Sequence, residues 1–216
     1  MKYKAAIFDM DGTILDTLDD LTNTLNHALE TNGFSGRTKK EARRFLGNGL
    51  RNLIDLALPE AADAEEKKTV LKDFRQYYSE HCRDNTAPYE GVVELLKKLK
   101  DCGIHTAVVS NKADDAVREL CDRYFSGLFE YAAGEKDGVR RKPWPDSVEE
   151  VMERFGTEKS ETVYVGDSEV DAETGKNAGV DCILVDWGFR DRQELEKLEA
   201  AAIVSDTDQL YDLICG

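Results

Sequence analysis

Short, largely apolar runs alternate with amphipathic stretches over most of the chain. Residues 3–8, 104–109, 162–165 and 182–185 form the clearest runs, and residues 130–133 and 201–204 weaker ones. Runs of this length with few polar interruptions suit strands buried on both faces, as in a parallel sheet. Between them the spacing changes from two to about 3.6. Val92, Leu95, Leu96 and Leu99 recur at i, i+3, i+4 and i+7, and so do Val117, Leu120, Cys121 and Tyr124, and Val148, Val151, Met152 and Phe155. That periodicity places one apolar stripe on each of three helices. Strand and helix in alternation predict an α/β, Rossmann-like doubly wound parallel sheet.

One stretch breaks the alternation. From residue 16 to about 85 only helical patterns occur: Leu18, Leu21, Leu25 and Leu29, then residues 50–58, then Val70, Phe74, Tyr77 and Tyr78. Gly33, Gly36, Gly47, Gly49 and Pro59 punctuate them. The pattern predicts a core of residues 1–15 and 86–216 with an inserted α-helical cap at 16–85.

Composition narrows the class. The 216 residues carry a formal net charge of −15, which argues against nucleic acid or an anionic membrane as main partner, because both need a basic footprint. No run approaches the ~18 apolar residues of a membrane span. Five scattered cysteines without a C-x-x-C pair read as reduced thiols, so a cytoplasmic protein is expected. An acidic chain that handles an anion needs a local positive charge, and a divalent cation supplies one.

Four motifs follow four of the apolar runs. Asp9-Met10-Asp11-Gly12-Thr13 leaves the first strand at its carboxyl end, the edge where open α/β sheets bind ligands. Two carboxylates two residues apart on an extended strand point to one side, so one can attack while the other moves protons. Ser110-Asn111-Lys112 follows the second long run with a hydroxyl and with backbone N–H groups fit to cradle an anion. Lys142-Pro143-Trp144-Pro145 sets an ammonium just ahead of a helix, a point charge suited to phosphate. Gly166-Asp167-Ser168-Glu169-Val170-Asp171 brings two acids about one helical turn apart. Oxygen-only donors favour a hard cation such as Mg²⁺, and no His/Cys cluster suits zinc. Each motif alone also fits a turn or a helix cap. Together, at the ends of four strands, they read as one site. His27, His81 and His105 lie away from all four and read as structural or surface residues.

The set DMDGT, SNK, KPWP and GDSEVD, in this order across essentially the whole chain, resembles the haloacid dehalogenase superfamily of phosphohydrolases. A helical cap between the first two motifs is similar to the phosphoglycolate phosphatase-like subclass. Residues 47–51, with Asn48, Gly49 and Arg51, resemble that subclass's substrate-facing cap loop, and Trp187-Gly188-Phe189-Arg190 resembles its tail feature.

The resemblance implies a phosphatase acting on a small phosphorylated metabolite, a phosphoglycolate-like ester first, with pyrophosphate or another sugar or nucleotide phosphate as the alternative. It implies Asp9 as nucleophile, Asp11 as general acid/base and a metal-binding carbonyl, and Asp167 as a second metal ligand. Asp171 is then a ligand, directly or through water, or an orienter. Ser110, Asn111, Gly12 and Thr13 would hold the phosphoryl group, and Lys142 would offset its charge. Like charges ~4 Å apart cost roughly 4 kcal/mol per pair at an effective dielectric of ~20, so Mg²⁺ dependence is expected. A dehalogenase is disfavoured by Asp11, since that reaction protonates no oxygen leaving group. A phospho-receiver module is disfavoured by the D-x-D-G-T spacing and the helical insert.

Overall fold

A computed structural model describes residues 2–216. The chain divides into two compact units, residues 1–15 with 88–216 and residues 16–87.

In unit 1, six strands form one wholly parallel sheet in the order β5-β4-β1-β6-β7-β8. They are β1 (Ala5–Phe8), β4 (His105–Ala113), β5 (Tyr131–Glu135), β6 (Thr162–Gly166), β7 (Asp181–Val185) and β8 (Ala202–Val204). Two-residue strands β2 (Leu15–Asp16) and β3 (Ala87–Pro88) are where the chain leaves unit 1 and re-enters it. Period-two alternation sends each strand's side chains to opposite faces. Ala6, Phe8, Val108, Val163, Val165, Ile183 and Val185 pack on one face, and Ile7, Val109, Tyr164, Cys182 and Leu184 on the other.

Helices cover both faces. α5 (Val92–Asp101), α6 (Asp114–Tyr124) and α10 (Thr207–Cys215) bury Leu95, Leu96, Leu99, Val117, Leu120, Leu210 and Ile214 against the first. α7 (Asp146–Phe155), α8 (Glu169–Ala178) and the short α9 (Arg192–Leu195) bury Val148, Val151, Ala172 and Leu195 against the second. From β1 the chain winds outward to β4 and β5, then returns to β6 on the other flank of β1. That reversal is the topological switch point of an open α/β sheet, and a crevice opens there outside the strands' carboxyl ends.

Unit 2 is helical: α1 (Leu18–Thr31), α2 (Lys39–Phe45), α3 (Gly49–Ala57) and α4 (Ala64–His81). α1 and α4 make its main contact, burying Leu21, Leu25, Leu29, Val70 and Phe74. The short α2 buries only Ala42, and that lack of an apolar stripe hid it in the sequence. Among the described residues no helix is long and apolar enough to cross a membrane, and all five cysteines are free thiols.

Three elements differ from expectation in extent. The first strand begins at Ala5, although the Lys4 backbone already donates to Glu161 (2.7 Å) and accepts from His105 (2.9 Å). The second runs on to Ala113, so Ser110, Asn111 and Lys112 lie on the strand itself; a register shift against β5 between Val109 and Ala113 lets it continue. α10, only nine residues long, was not anticipated; it buries Leu210 and Ile214. The histidines stack on aromatic rings, His27 and His81 on Tyr77 and His105 on Phe155.

Candidate active site

Asp9 follows β1 directly, and its backbone N–H donates to the carbonyl of Val165 on β6. The residue is therefore anchored between the two strands that flank the switch point. Asp167 and Asp171 come from the end of β6 and the first turn of α8. Carboxylate oxygens of Asp9, Asp167 and Asp171 lie within 4.8 Å of one another, and all three residues are buried.

Lys142 reaches this cluster from the loop before α7. Its Nζ lies 2.8 Å from Asp9 Oδ1 and 2.7 Å from Asp171 Oδ1, and it donates to the Tyr164 hydroxyl at 2.9 Å. That hydroxyl in turn donates to the carbonyl of Val109 at 3.0 Å. The Lys142–Pro143 peptide is cis. Asn111 fixes the lysine's backbone by donating from Nδ2 to its carbonyl at 3.1 Å.

Asp171 is saturated by donors. Beyond Lys142 on Oδ1, its Oδ2 accepts from the backbone N–H of Asp167 and of Ser168, both 3.1 Å, and from Ser168 Oγ at 2.6 Å. Those bonds are also a cap for α8, with Ser168 as the N-cap. A Cβ on Gly166 would collide with the Asp171 side chain, so only glycine lets the acid fold back this closely.

Asp167 is held from the opposite side. Thr13 Oγ1 donates to its Oδ1 at 3.2 Å, and the Phe189 N–H to its Oδ2 at 2.6 Å. The 187–190 segment acts as a brace: Trp187 Nε1 donates to the Thr13 carbonyl at 3.1 Å, and Arg190 is committed to Glu169 at 2.7 Å. Gly12, at φ +87°, has no room for a Cβ beside the Asp167 carboxylate. Asp11 lies apart from the triad, with both carboxylate oxygens engaged by Lys112 Nζ at 2.8 and 2.9 Å. Ser110 Oγ accepts from the Lys112 N–H at 3.3 Å.

The electrostatics follow from burial. Desolvation pushes the Asp9 carboxyl up to about 6, opposed by Lys142 and helped by Asp171 and Asp11. Burial, with Asp171 and Asp9 beside it, pushes Asp167 well above the usual carboxylate range, although the Phe189 N–H opposes this. Burial also works against the Lys142 ammonium, but Asp171 and Asp9 outweigh it and hold its pKa well above the ordinary lysine value. Lys142 pairs with two of the three buried carboxylates, Asp9 and Asp171, and Asp167 has no ion pair with it, a formal excess of two negative charges over that lysine. The donors are all oxygen, so the cluster fits a hard divalent cation.

Asp9, Asp167, Asp171, Lys142, Asn111, Ser110, Thr13 and Gly12 thus belong to one neighbourhood at the sheet edge of unit 1. Asn48, Gly49 and Arg51 belong to unit 2. Asn48 precedes α3 without using its side chain as a cap, Gly49 takes φ +76°, and Arg51 lines a groove beside α4. Sequence reasoning gave no role to the side chains of Lys112, Tyr164 and Ser168. Lys112 and Ser168 stood inside motifs already noted; Tyr164 carried no signal, being one apolar position of a buried strand.

Fold and site together define a Rossmann-like α/β core with an acidic cluster at its switch point. A profile of the haloacid dehalogenase-like hydrolases matches residues 6–185. A phosphoglycolate phosphatase of Mesorhizobium japonicum is 31% identical over 97% of this chain and 94% of its own length. One from Aquifex aeolicus is 30% identical over 86% of each. A crystal structure from Lactobacillus delbrueckii subsp. bulgaricus, provisionally assigned as a phosphoglycolate phosphatase, superposes with a TM-score of 0.96 at 41% identity over the whole of both chains. The chain belongs to the haloacid dehalogenase-like hydrolases and is phosphoglycolate phosphatase-like among them.

Proposed function

We propose that the chain is a Mg²⁺-dependent phosphatase that hydrolyses a small phosphorylated metabolite of the phosphoglycolate kind through an aspartyl phosphate on Asp9. The observation that carries this reading is the buried Asp9–Lys142–Asp171 chain beside Asp167, which leaves two carboxylate charges to be balanced at the switch point.

Asp9 attacks phosphorus, the P–O bond to the alcohol breaks, and Asp11 gives its proton to the departing oxygen. Water then attacks the acyl phosphate, Asp11 takes the proton back, and inorganic phosphate leaves. Splitting one hard displacement into two is the gain of a carboxylate nucleophile, and the positioned acid/base adds ~10²–10⁴-fold. Asp11 acts only after its carboxyl has taken up a proton and turned from Lys112, which holds both its oxygens in the resting chain. Ser110 and the N–H groups near Asn111 orient the phosphoryl oxygens, and Lys142 offsets the charge that gathers on Asp9.

Asp9, Asp167 and the Asp11 carbonyl would hold the cation, which when bound supplies positive charge beside the carboxylates and the phosphoryl group. Asp171, which pairs with Lys142 where Asp167 does not, orients that lysine and the start of α8. Unit 2 is the cap that selects substrate, through Asn48 and the Gly49 backbone; Arg51 is assigned to the groove described below. In the cytoplasm the substrate would be a free metabolite.

Phosphate release from 2-phosphoglycolate, with pyrophosphate as comparison and EDTA as control, tests the reading. The expected result is turnover on phosphoglycolate that EDTA removes and that the Asp9→Asn protein lacks. Turnover in EDTA, or in Asp9→Asn, overturns the mechanism; faster release from pyrophosphate overturns the substrate.

A further inference from the structure

The net charge of −15 is unevenly spread. Unit 2 carries eleven Lys and Arg against thirteen Asp and Glu, so it is close to neutral while unit 1 holds nearly all the excess. Five of those eleven cations line one groove. Arg51 and Asp55 of α3 face Lys67, Lys68, Lys72 and Arg75 of α4 around a cavity of about 610 Å³, with Leu71 contributing apolar surface and the buried Ile54 beneath it.

The charges in it are graded. Lys67 pairs with Asp55 at 3.0 Å, and Lys68 lies 3.8 Å from Glu65. Arg51, Lys72 and Arg75 have no ion pair among the described residues. At ~1.5 Å of rise per residue, Lys67 and Arg75 stand roughly 12 Å apart along α4. One end of the groove is therefore neutralised and the other holds three free cations. Leu71 sits one turn from Arg75 on α4 and is partly exposed. Clustered like charges repel, and Asp55, the one acid lining the groove, is engaged with Lys67.

We propose that the α3–α4 groove is a second anion site that takes a ligand of the nucleoside diphosphate class. The phosphates lie against Arg51, Lys72 and Arg75, where guanidinium groups can bind phosphate oxygens in pairs, and the apolar ring system lies over Leu71 and the aliphatic stems of the lysines and arginines beside it. A two-carbon phosphate ester is far too small for the cavity. Inorganic phosphate or pyrophosphate satisfies the charges and leaves the apolar surface bare. A ligand with two or three charges at one end and a flat apolar body at the other uses both, and the volume is that of an ordinary small-molecule site. The inference does not depend on the phosphatase reading, because no residue of the acidic cluster takes part.

Calorimetric titration of the full chain with ADP in EDTA tests it, with pyrophosphate and adenosine as the two half-ligands. A saturable signal with a dissociation constant below about 1 mM is expected in ~50 mM salt, weakening at ~200 mM as charged contacts are screened. Lys72→Glu/Arg75→Glu should weaken binding at least about tenfold with an unchanged thermal melt; should that pair fail to fold, Lys72→Gln and Arg75→Gln singly should each weaken it about threefold. Pyrophosphate should bind more weakly than ADP and adenosine not measurably. The proposal is overturned by absence of saturable ADP binding, by affinity unaltered in the charge variants, by pyrophosphate binding as tightly as ADP, or by displacement of ADP with 2-phosphoglycolate.

Discussion

Lys142 is the residue whose surroundings say most about the site. It is 5% exposed and touches two carboxylates, one of them the nucleophile of the proposed reaction. Removing one partner of a buried charge network costs about 3–5 kcal/mol, because the remaining charges lose their compensation. Lys142→Met should therefore lower stability by that order at neutral pH as well as abolish turnover, and chemical denaturation with a phosphate-release assay reads both. Asp9→Asn differs: it removes one of three like charges and keeps the shape, so stability in EDTA should hold while turnover disappears. The aspartates were legible in the sequence because their chemistry is carried by local spacing. The partnership of Lys112 with Asp11, 101 positions apart, was not, because it depends on how the end of β4 stands beside the end of β1. Tyr164 was hidden for a similar reason: in a strand of valines it reads as core, and only the tertiary structure reveals its hydroxyl between Lys142 and Val109.

At the scale of elements, the site depends on the start of α8. A Cβ on Gly166 would meet the Asp171 side chain, and one on Gly188 would meet both the Gly12 carbonyl and Asp167. Gly166→Ala should displace the acid that caps α8 and pairs with Lys142, with a loss of at least about tenfold in turnover and about 1–3 kcal/mol in stability, the range for overpacking. Turnover and stability both near wild type would show that Asp171 does not need this approach.

Unit 2 has its own clamp. The Asp20 carboxylate, in the first turn of α1, accepts from the backbone N–H and side chain of Asn85 at 2.8–3.0 Å and from the N–H and hydroxyl of Thr86 at 2.9 and 2.8 Å. Burial raises its pKa, but the bonds from Asn85 and Thr86 outweigh that and leave it lowered. A lowered carboxylate contributes stability that is full above its unfolded pKa of ~3.9 and is lost as pH falls through the folded value. Asp20→Asn should be less stable than wild type at pH 7, and the difference should shrink below about pH 4 in denaturation at a series of pH values. A difference independent of pH would show that the ionised form is not what the clamp uses. The strands and long helices of both units were readable from periodicity. α2 was not, because it buries a single alanine and has no apolar stripe, and α10 was not, because it is only nine residues long and its short run of Leu210, Leu213 and Ile214 spans little more than one turn.

For the whole molecule the governing fact is that an acidic chain concentrates three further acids at the edge of its sheet. With Lys142 paired to Asp9 and Asp171 only, the three acids leave a formal excess of two negative charges in a buried place, and burial beside Asp171 and Asp9 pushes the Asp167 carboxyl up. Such a cluster is a strain the fold bears for the sake of binding, the usual trade of stability against activity. A cation that binds only the folded chain stabilises it by about 2.7 kcal/mol at a hundred times its dissociation constant. For a domain of this size that is a rise in melting temperature of roughly 5–10 °C. Mg²⁺ should therefore raise the melting temperature of the wild-type chain relative to EDTA. Asp167→Asn should reverse the balance: an amide keeps an acceptor for the Phe189 N–H and a group facing Thr13, and removes one like charge, so the variant should melt at or above wild type in EDTA. It should also gain little from Mg²⁺ and hydrolyse no ester at a measurable rate. Scanning calorimetry of both proteins with and without Mg²⁺ reads the four values. If Asp167→Asn responded to Mg²⁺ as wild type does, the cation would be held elsewhere and the buried acids would need another account.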